Sequence, residues 1–188
     1  YGTTDEAAFK KLFERIQKYE QISDNMENEI GKYLGQVSNA HLSDATKQSI
    51  RAMIREIGEL ESIGDSFFNL ARALMRRKNQ QVTFSKAQEE GLAEMYGLLR
   101  QSMDQMVTVL RGEADITEST RLEIAINACR DRLREQNEGA VDEHDYSYAC
   151  STIFMDLVSE CEQCGDYIVN VVEAKTGQKV EKLEKAAA

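Results

Sequence analysis

Proline is absent from the 188 residues, and aromatic side chains make up only 7% of them. A sandwich or barrel with many turns draws on both, so their scarcity points to long uninterrupted helices. No apolar run approaches the ~20 residues that a membrane span needs, and no leader of charged, apolar and small residues opens the chain. Positive charge is in deficit: 23 Lys and Arg against 33 Asp and Glu leave a formal charge of −10. Such a surface repels phosphate backbones and anionic lipid, which argues against nucleic acid as a partner and favours cations. Only two histidines occur, His41 and His144, both in expected turns. Ser38 and Val141 stand three residues before them, so the Glu-x-x-His pattern of ferritin-like di-iron bundles is missing. No Ser/His/Asp set, Cys/His pair or Gly-rich phosphate loop stands out. Four cysteines suit a reducing, cytosolic compartment better than a disulfide scaffold. The opening Tyr1, in place of Met, is expected of a segment of a longer polypeptide.

What is present is a 41% hydrophobic chain, enough for a real core. Capping signatures set the helix starts: Thr3 with Glu6, Ser85 with Gln88 and Asp115 with Glu118, besides Ser43 and Asp145 as plain caps. They predict five helices at roughly 5–38, 43–78, 86–111, 116–137 and 146–176, an all-α, elongated bundle. The short link Asn39–Leu42 makes the first two helices an antiparallel hairpin.

Both seams of that hairpin are apolar at their ends and acidic in the middle. The first reads Phe9, Phe13, Ile16, Glu20, Ser23, Glu27, Ile30, Leu34, Val37; the second reads Ile50, Ile54, Ile57, Glu61, Gly64, Phe68, Ala71, Met75. Folded about the link, Glu20 is expected to face Glu61. Facing carboxylates on a packed seam are disfavoured unless something positive lies between them.

Acid pairs at i,i+4 are common by chance in so acidic a chain, so the informative feature is a repeat. Glu59-x-Glu61-x-x-Gly64-Asp65-x-x-x-Asn69 recurs 101 residues later as Glu160-x-Glu162-x-x-Gly165-Asp166-x-x-x-Asn170. Upstream of each copy lies a partner pair, Glu20 with Asp24 and Glu123 with Asn127. The second hairpin is expected to turn within the Glu138–Asp145 loop, marked by Gly139. The first repeat then spans 1–82, the second 83–178, and 179–188 reads as a disordered tail. A mid-helix Gly costs ~1 kcal/mol relative to Ala, so its doubled presence suggests that a backbone or ligand approaches there. Glu20, Asp24, Glu61 and Asp65 are the candidate ligands of one metal site, Glu123, Asn127, Glu162 and Asp166 of another. Asn69 and Asn170 stand one turn further on as supporting groups. Carboxylate oxygens suit magnesium, calcium, manganese or oxidised iron, with zinc as a further candidate.

The segment Leu60-Glu61-Ser62-Ile63-Gly64-Asp65-Ser66-Phe67-Phe68-Asn69, its second copy at 161–170 and the Glu20/Asp24 pair resemble the PhoU family of phosphate-uptake regulators. Lys18 to Asp24 and Asn25-Met26-Glu27 further resemble the cytosolic PhoU-like domain of bacterial sodium/phosphate cotransporters. The resemblance covers most of the chain. It implies tandem three-helix bundles, multinuclear metal clusters on the acidic motifs and a non-enzymatic regulatory role. It also implies a phosphate transporter's membrane domain as partner and a cytoplasmic location tethered to the inner membrane, and it leaves a homodimer open. Two departures stand out. Five helices are counted where the family has six, and Asn127 replaces an acid, so the second site is expected to be the weaker. A carboxylate-bridged oxidase or hydrolase and a metal-free helical scaffold are the rival classes.

Cys161-x-x-Cys164 lies mid-helix with no second pair to complete a zinc site, so core packing is expected for it and for Cys129 and Cys150. Arg76-Arg77-Lys78 is expected to complement a helix C-terminus. Met95, Tyr96, Met103 and Met106 are expected to pack in the bundle.

Overall fold

A computed structural model of the chain describes residues 6–142 and 147–179. Five helices fill nearly all of them: α1 Glu6–Ser38, α2 Asp44–Asn79, α3 Lys86–Leu110, α4 Thr117–Asp142 and α5 Tyr148–Thr176, with no strand among the described residues. The fold is an all-α helical bundle. Ser43 caps α2 through the Thr46 N–H at 3.2 Å. Ser85 opens α3 in a reciprocal capping box with Gln88. Ahead of α4, Asp115 Oδ1 accepts from the Thr117 N–H at 2.9 Å. The cap of α5 is Ser147; Asp145, His144 and Thr3 lie outside the described residues, as does the tail from 180 onward. Lys179 at the tail's start pairs with Glu173 at 3.0 Å.

One boundary departs from expectation. α4 runs on through Gly139 to Asp142, where a loop was expected from Glu138. Gly139 has open space around it and negative φ; it weakens the helix without breaking it.

Helix order follows from which faces are apolar. α3, α4 and α5 pack on one another, α2 packs along α5, and the backbone of α1 lies close to α2 alone. The core accordingly sits in the second repeat. Leu92, Met95, Leu133, Phe154, Leu157, Cys161, Cys164 and Val172 are fully enclosed, whereas Leu34 is the one buried side chain of α1. Ile54, placed on the seam by periodicity, is exposed. Among the described residues the first repeat has no counterpart of α3. A groove of about 300 Å³, walled by Phe9, Phe13, Ile16, Phe67, Leu74 and Tyr96, remains open there.

The basic cluster at the end of α2 reaches further than the helix dipole. Arg76 pairs with Asp156 on α5, Arg77 with Glu89 at 2.9 Å while stacking 4.0 Å above Phe84, and Lys78 with Glu6 on α1 at 3.6 Å. Each residue ties α2 to a different element.

α2 and α5 run antiparallel, since Arg55 meets Glu173 at one end and Arg76 meets Asp156 at the other. Under the 101-residue shift of the repeat, Arg55 corresponds to Asp156 and Arg72 to Glu173. The contact is therefore an approximate twofold whose related positions carry opposite charges, with Arg on α2 and an acid on α5 at both ends.

Two glycines of α3 give the fold's test. A methyl added at Gly91 would sit 2.3 Å from Leu133 Cδ2, and Leu133 is itself enclosed. Gly91→Ala is expected to cost about 1–3 kcal/mol by overpacking. Gly97 has nothing within 4 Å, so Gly97→Ala is expected to stabilise by about 0.5–1 kcal/mol through helix propensity. Thermal unfolding of the two variants checks the α3–α4 contact.

Candidate metal centre

The sequence places the acids on the α1–α2 seam, but the register differs by about one turn from simple folding about the link. Glu20 comes under the charge of Asp65, and Glu61 meets Asp24 and Glu27. Glu27 also reaches towards Gly58, where a Cβ would lie 3.9 Å from its Oε1. Side chains on a helix lean towards its N-terminus, so in an antiparallel pair they meet about two positions beyond the backbone register. That lean accounts for about half of the displacement. The same offset holds in the second repeat: Gly64 is overlain by Ser23 at 3.3 Å and Gly165 by Ile126 at 3.1 Å, measured from an added Cβ. Ser23 and Ile126 are repeat partners. What approaches both glycines is thus a side chain of the neighbouring hairpin helix.

Five carboxylates share the first seam: Glu20, Asp24, Glu27, Glu61 and Asp65. All but the exposed Asp65 are partly buried. Glu61 is held above the usual carboxylate range by partial burial, then by the charges of Asp65, Asp24 and Glu27 and a hydrogen bond shared with Asp24. Glu20 is raised in the same direction by desolvation, Asp24 and Asp65. Every charge that perturbs these two groups is another carboxylate. A hard cation would relieve that repulsion, so the donor chemistry fits one. The carboxylates are near neighbours without being preassembled: among the described residues no three Asp, Glu, His or Cys side chains converge as a ready coordination set.

The second seam is built differently. Glu123 is buried, 3% exposed, while Asn127 and Glu162 are partly buried. Between α4 and α5 lies the guanidinium of Arg130. It donates to Asn127 Oδ1 at 3.0 Å and to Asp131 Oδ1 at 3.0 Å, and it forms an ion pair with Glu162. The expectation that Glu123, Asn127, Glu162 and Asp166 hold a metal does not fit these side chains, because the seam already contains a cation. Sequence reasoning passed over Arg130, although the 103-residue spacing that pairs Asp24 with Asn127 also pairs Glu27 with Arg130.

The two asparagines lie at the contact between α2 and α5. Asn170 Nδ2 donates to Glu59 Oε2 at 2.9 Å and its Oδ1 accepts from Arg55 at 3.3 Å, so it joins α5 to α2. Asn69 lines the pseudo-equivalent groove of about 590 Å³ with Arg72, Arg76, Asp156 and Glu160. The repeated motif therefore divides between two faces. Its first Glu and its Asn serve the joint between repeats, its second Glu turns to the hairpin partner, and in the first copy Asp65 does so as well.

All four cysteines are free and buried. Burial raises the thiols of Cys161 and Cys129, and pushes Cys164 up to about 12. Such thiols stay protonated and pack as small apolar groups, in agreement with the sequence reading.

The raised carboxyls carry a sign. Glu20 and Glu61 bind protons more tightly in the folded chain, so their protonated forms favour the fold. That contribution is complete below the unfolded value near 4.5 and is lost as pH rises through the raised one. Glu61→Gln is expected to raise the melting temperature of the metal-free chain at pH 7 by about 1–2 °C, on ~0.2–0.5 kcal/mol per like-charge pair removed. The gain over wild type should shrink as pH is lowered into the range where the raised carboxyls take up protons. Melting curves of both chains in chelator across that range check it.

Among the described residues no helix is long and apolar enough to cross a membrane. Compared with known proteins, the chain matches no protein-family profile, no curated protein and no solved structure.

Proposed function

We propose that the chain is a metal-binding, PhoU-like regulatory domain of phosphate transport, the cytosolic part of a sodium/phosphate cotransporter. The observation that carries this reading is the α1–α2 seam, where five carboxylates crowd together and the proton affinity of Glu20 and Glu61 is raised by their neighbours. It occurs within the doubled E-x-E-x-x-G-D-x-x-x-N pattern that resembles the PhoU family. Glu20, Asp24, Glu61 and Asp65 supply oxygen donors, Glu27 adds a fifth, and a hard divalent or trivalent cation offsets their charge.

The role of the cation follows from where the acids lie. Among the described residues the backbone of α1 lies close to α2 alone, and α1 buries little of its own. A cation bound between the two helices stabilises the closed hairpin by mass action, because the separated helices no longer bring the ligands together. Regulation then means that loading sets the population of the closed hairpin, and that this state has the surface a transporter's cytosolic face recognises. The acidic surface makes direct capture of phosphate by the protein alone unfavourable.

Metal analysis of purified chain should find bound cation. Asp65→Ala should remove most of it, whereas Asp166→Ala should remove little. Equal losses would contradict the assignment, and a chain that binds no cation after reconstitution would leave the helical scaffold as the better reading. Turnover by the loaded chain would favour a metalloenzyme. For the transport role, the full-length transporter carrying Glu61→Ala with Asp65→Ala should show altered control of sodium-dependent phosphate uptake; unchanged uptake and control would remove that role.

A further inference from the structure

We infer that Arg130 is a built-in cation that closes the second acidic seam to metal, so that the chain carries its metal at the α1–α2 seam alone. The statement about the first seam rests on the reading above; the statement about Arg130 does not.

Glu162 and Asn127, which hold the guanidinium, are the repeat partners of Glu61 and Asp24. Equivalent side chains thus surround a positive charge in one repeat and only carboxylates in the other. The reversal of charge arises where Glu27 in the first repeat becomes Arg130 in the second, and it is accompanied by the change from Asp24 to the neutral Asn127. The side chain of Arg130 is 19% exposed and that of Glu162 21%, so the pair is substantially shielded from water.

Its placement is enforced locally. Asn127 lies three residues before Arg130 on the same face of α4, and its amide oxygen steers the guanidinium across the seam towards Glu162. Asp131 accepts from another edge. The planar, multiply donating guanidinium satisfies several oxygens at once, as a metal ion would, and it cannot be deprotonated or exchanged. A divalent ion entering there would face a fixed positive charge and would find Glu162 already engaged. The Asn at 127 fits the same logic: with the cation supplied internally, a second facing acid is not required.

The test uses the whole chain with Glu61→Gln and Asp65→Asn as parent, which removes the first seam from the measurement. Manganese is the probe. In chelator, adding Arg130→Met should lower the melting temperature by about 3–8 °C, the effect of leaving a shielded carboxylate without its partner. Mn²⁺ should restore most of that loss, and a further Glu162→Gln should restore it without Mn²⁺ because both partners are then gone. By equilibrium dialysis, Arg130→Glu, which installs the first-repeat residue, should bind one more Mn²⁺ per chain than the parent. Arg130→Lys keeps the charge, guards against loss of fold, and should bind no additional Mn²⁺. A parent that itself binds Mn²⁺ through Glu162, or Arg130→Met and Arg130→Glu variants that do not respond to Mn²⁺, would overturn the inference. A wild-type chain that binds no Mn²⁺ would remove the first-seam reading and leave the Arg130 result standing.

Discussion

The contact between α2 and α5 holds the two repeats together, and the positions of α1, α3 and α4 follow from it. Along its length, enclosed side chains such as Ile63, Leu70, Leu157 and Cys161 belong to one continuous core. Its polar edge is organised by Arg55, Glu59, Asn170 and Glu173 at one end and by Arg76 with Asp156 at the other. With these faces committed to each other, the opposite faces of α2 and α5 remain for the outer helices. α1 takes the one, α4 with α3 the other.

That arrangement gives the two acidic seams unequal surroundings. The α4–α5 seam is backed by α3 and by most of the apolar core, so a charge within it needs a partner that is always present. Arg130 is that partner. Among the described residues no third helix packs its backbone behind the α1–α2 seam as α3 does behind α4–α5, and water can reach its carboxylates. Such a seam tolerates several negative charges in the absence of a cation and responds to one when it arrives. An acid in one repeat and a guanidinium in the other at the same position are two solutions to the same electrostatic problem.

Much of the fold was legible because the signals are local. The lack of proline, the caps at Ser43 and Ser85 and the 3.6-residue periodicity placed all five helices. Gly139 misled because glycine lowers helix stability without forbidding the helix, and the neighbouring turns of α4 outweigh it. About half of the displacement of the facing pairs arises because numbering about a link ignores the lean of side chains along the axis. At the candidate centre the acids themselves were legible, since a repeat selects them from many others. The role of Asn170 was not. Its spacing places it between the directions of Glu160 and Glu162 on α5, and only the position of α2 decides which neighbour it meets. Arg130 was missed for a different reason: matching positions define a repeat, while the position that fails to match carries the difference in chemistry.

The inverted charges of the α2–α5 joint also determine which helices can pair between copies. If α2 met a second α2 in the same geometry, Arg55 would fall opposite Arg72. If α5 met a second α5, Asp156 would fall opposite Glu173. Either like-with-like union brings matching charges together where the native joint places opposite ones, and juxtaposed like charges disfavour association. Half-molecules of this chain, or chains caught part-way through synthesis, therefore have an electrostatic bias against self-pairing through this face. The complementary half satisfies the joint, so an apparent duplication is kept from behaving as two interchangeable modules.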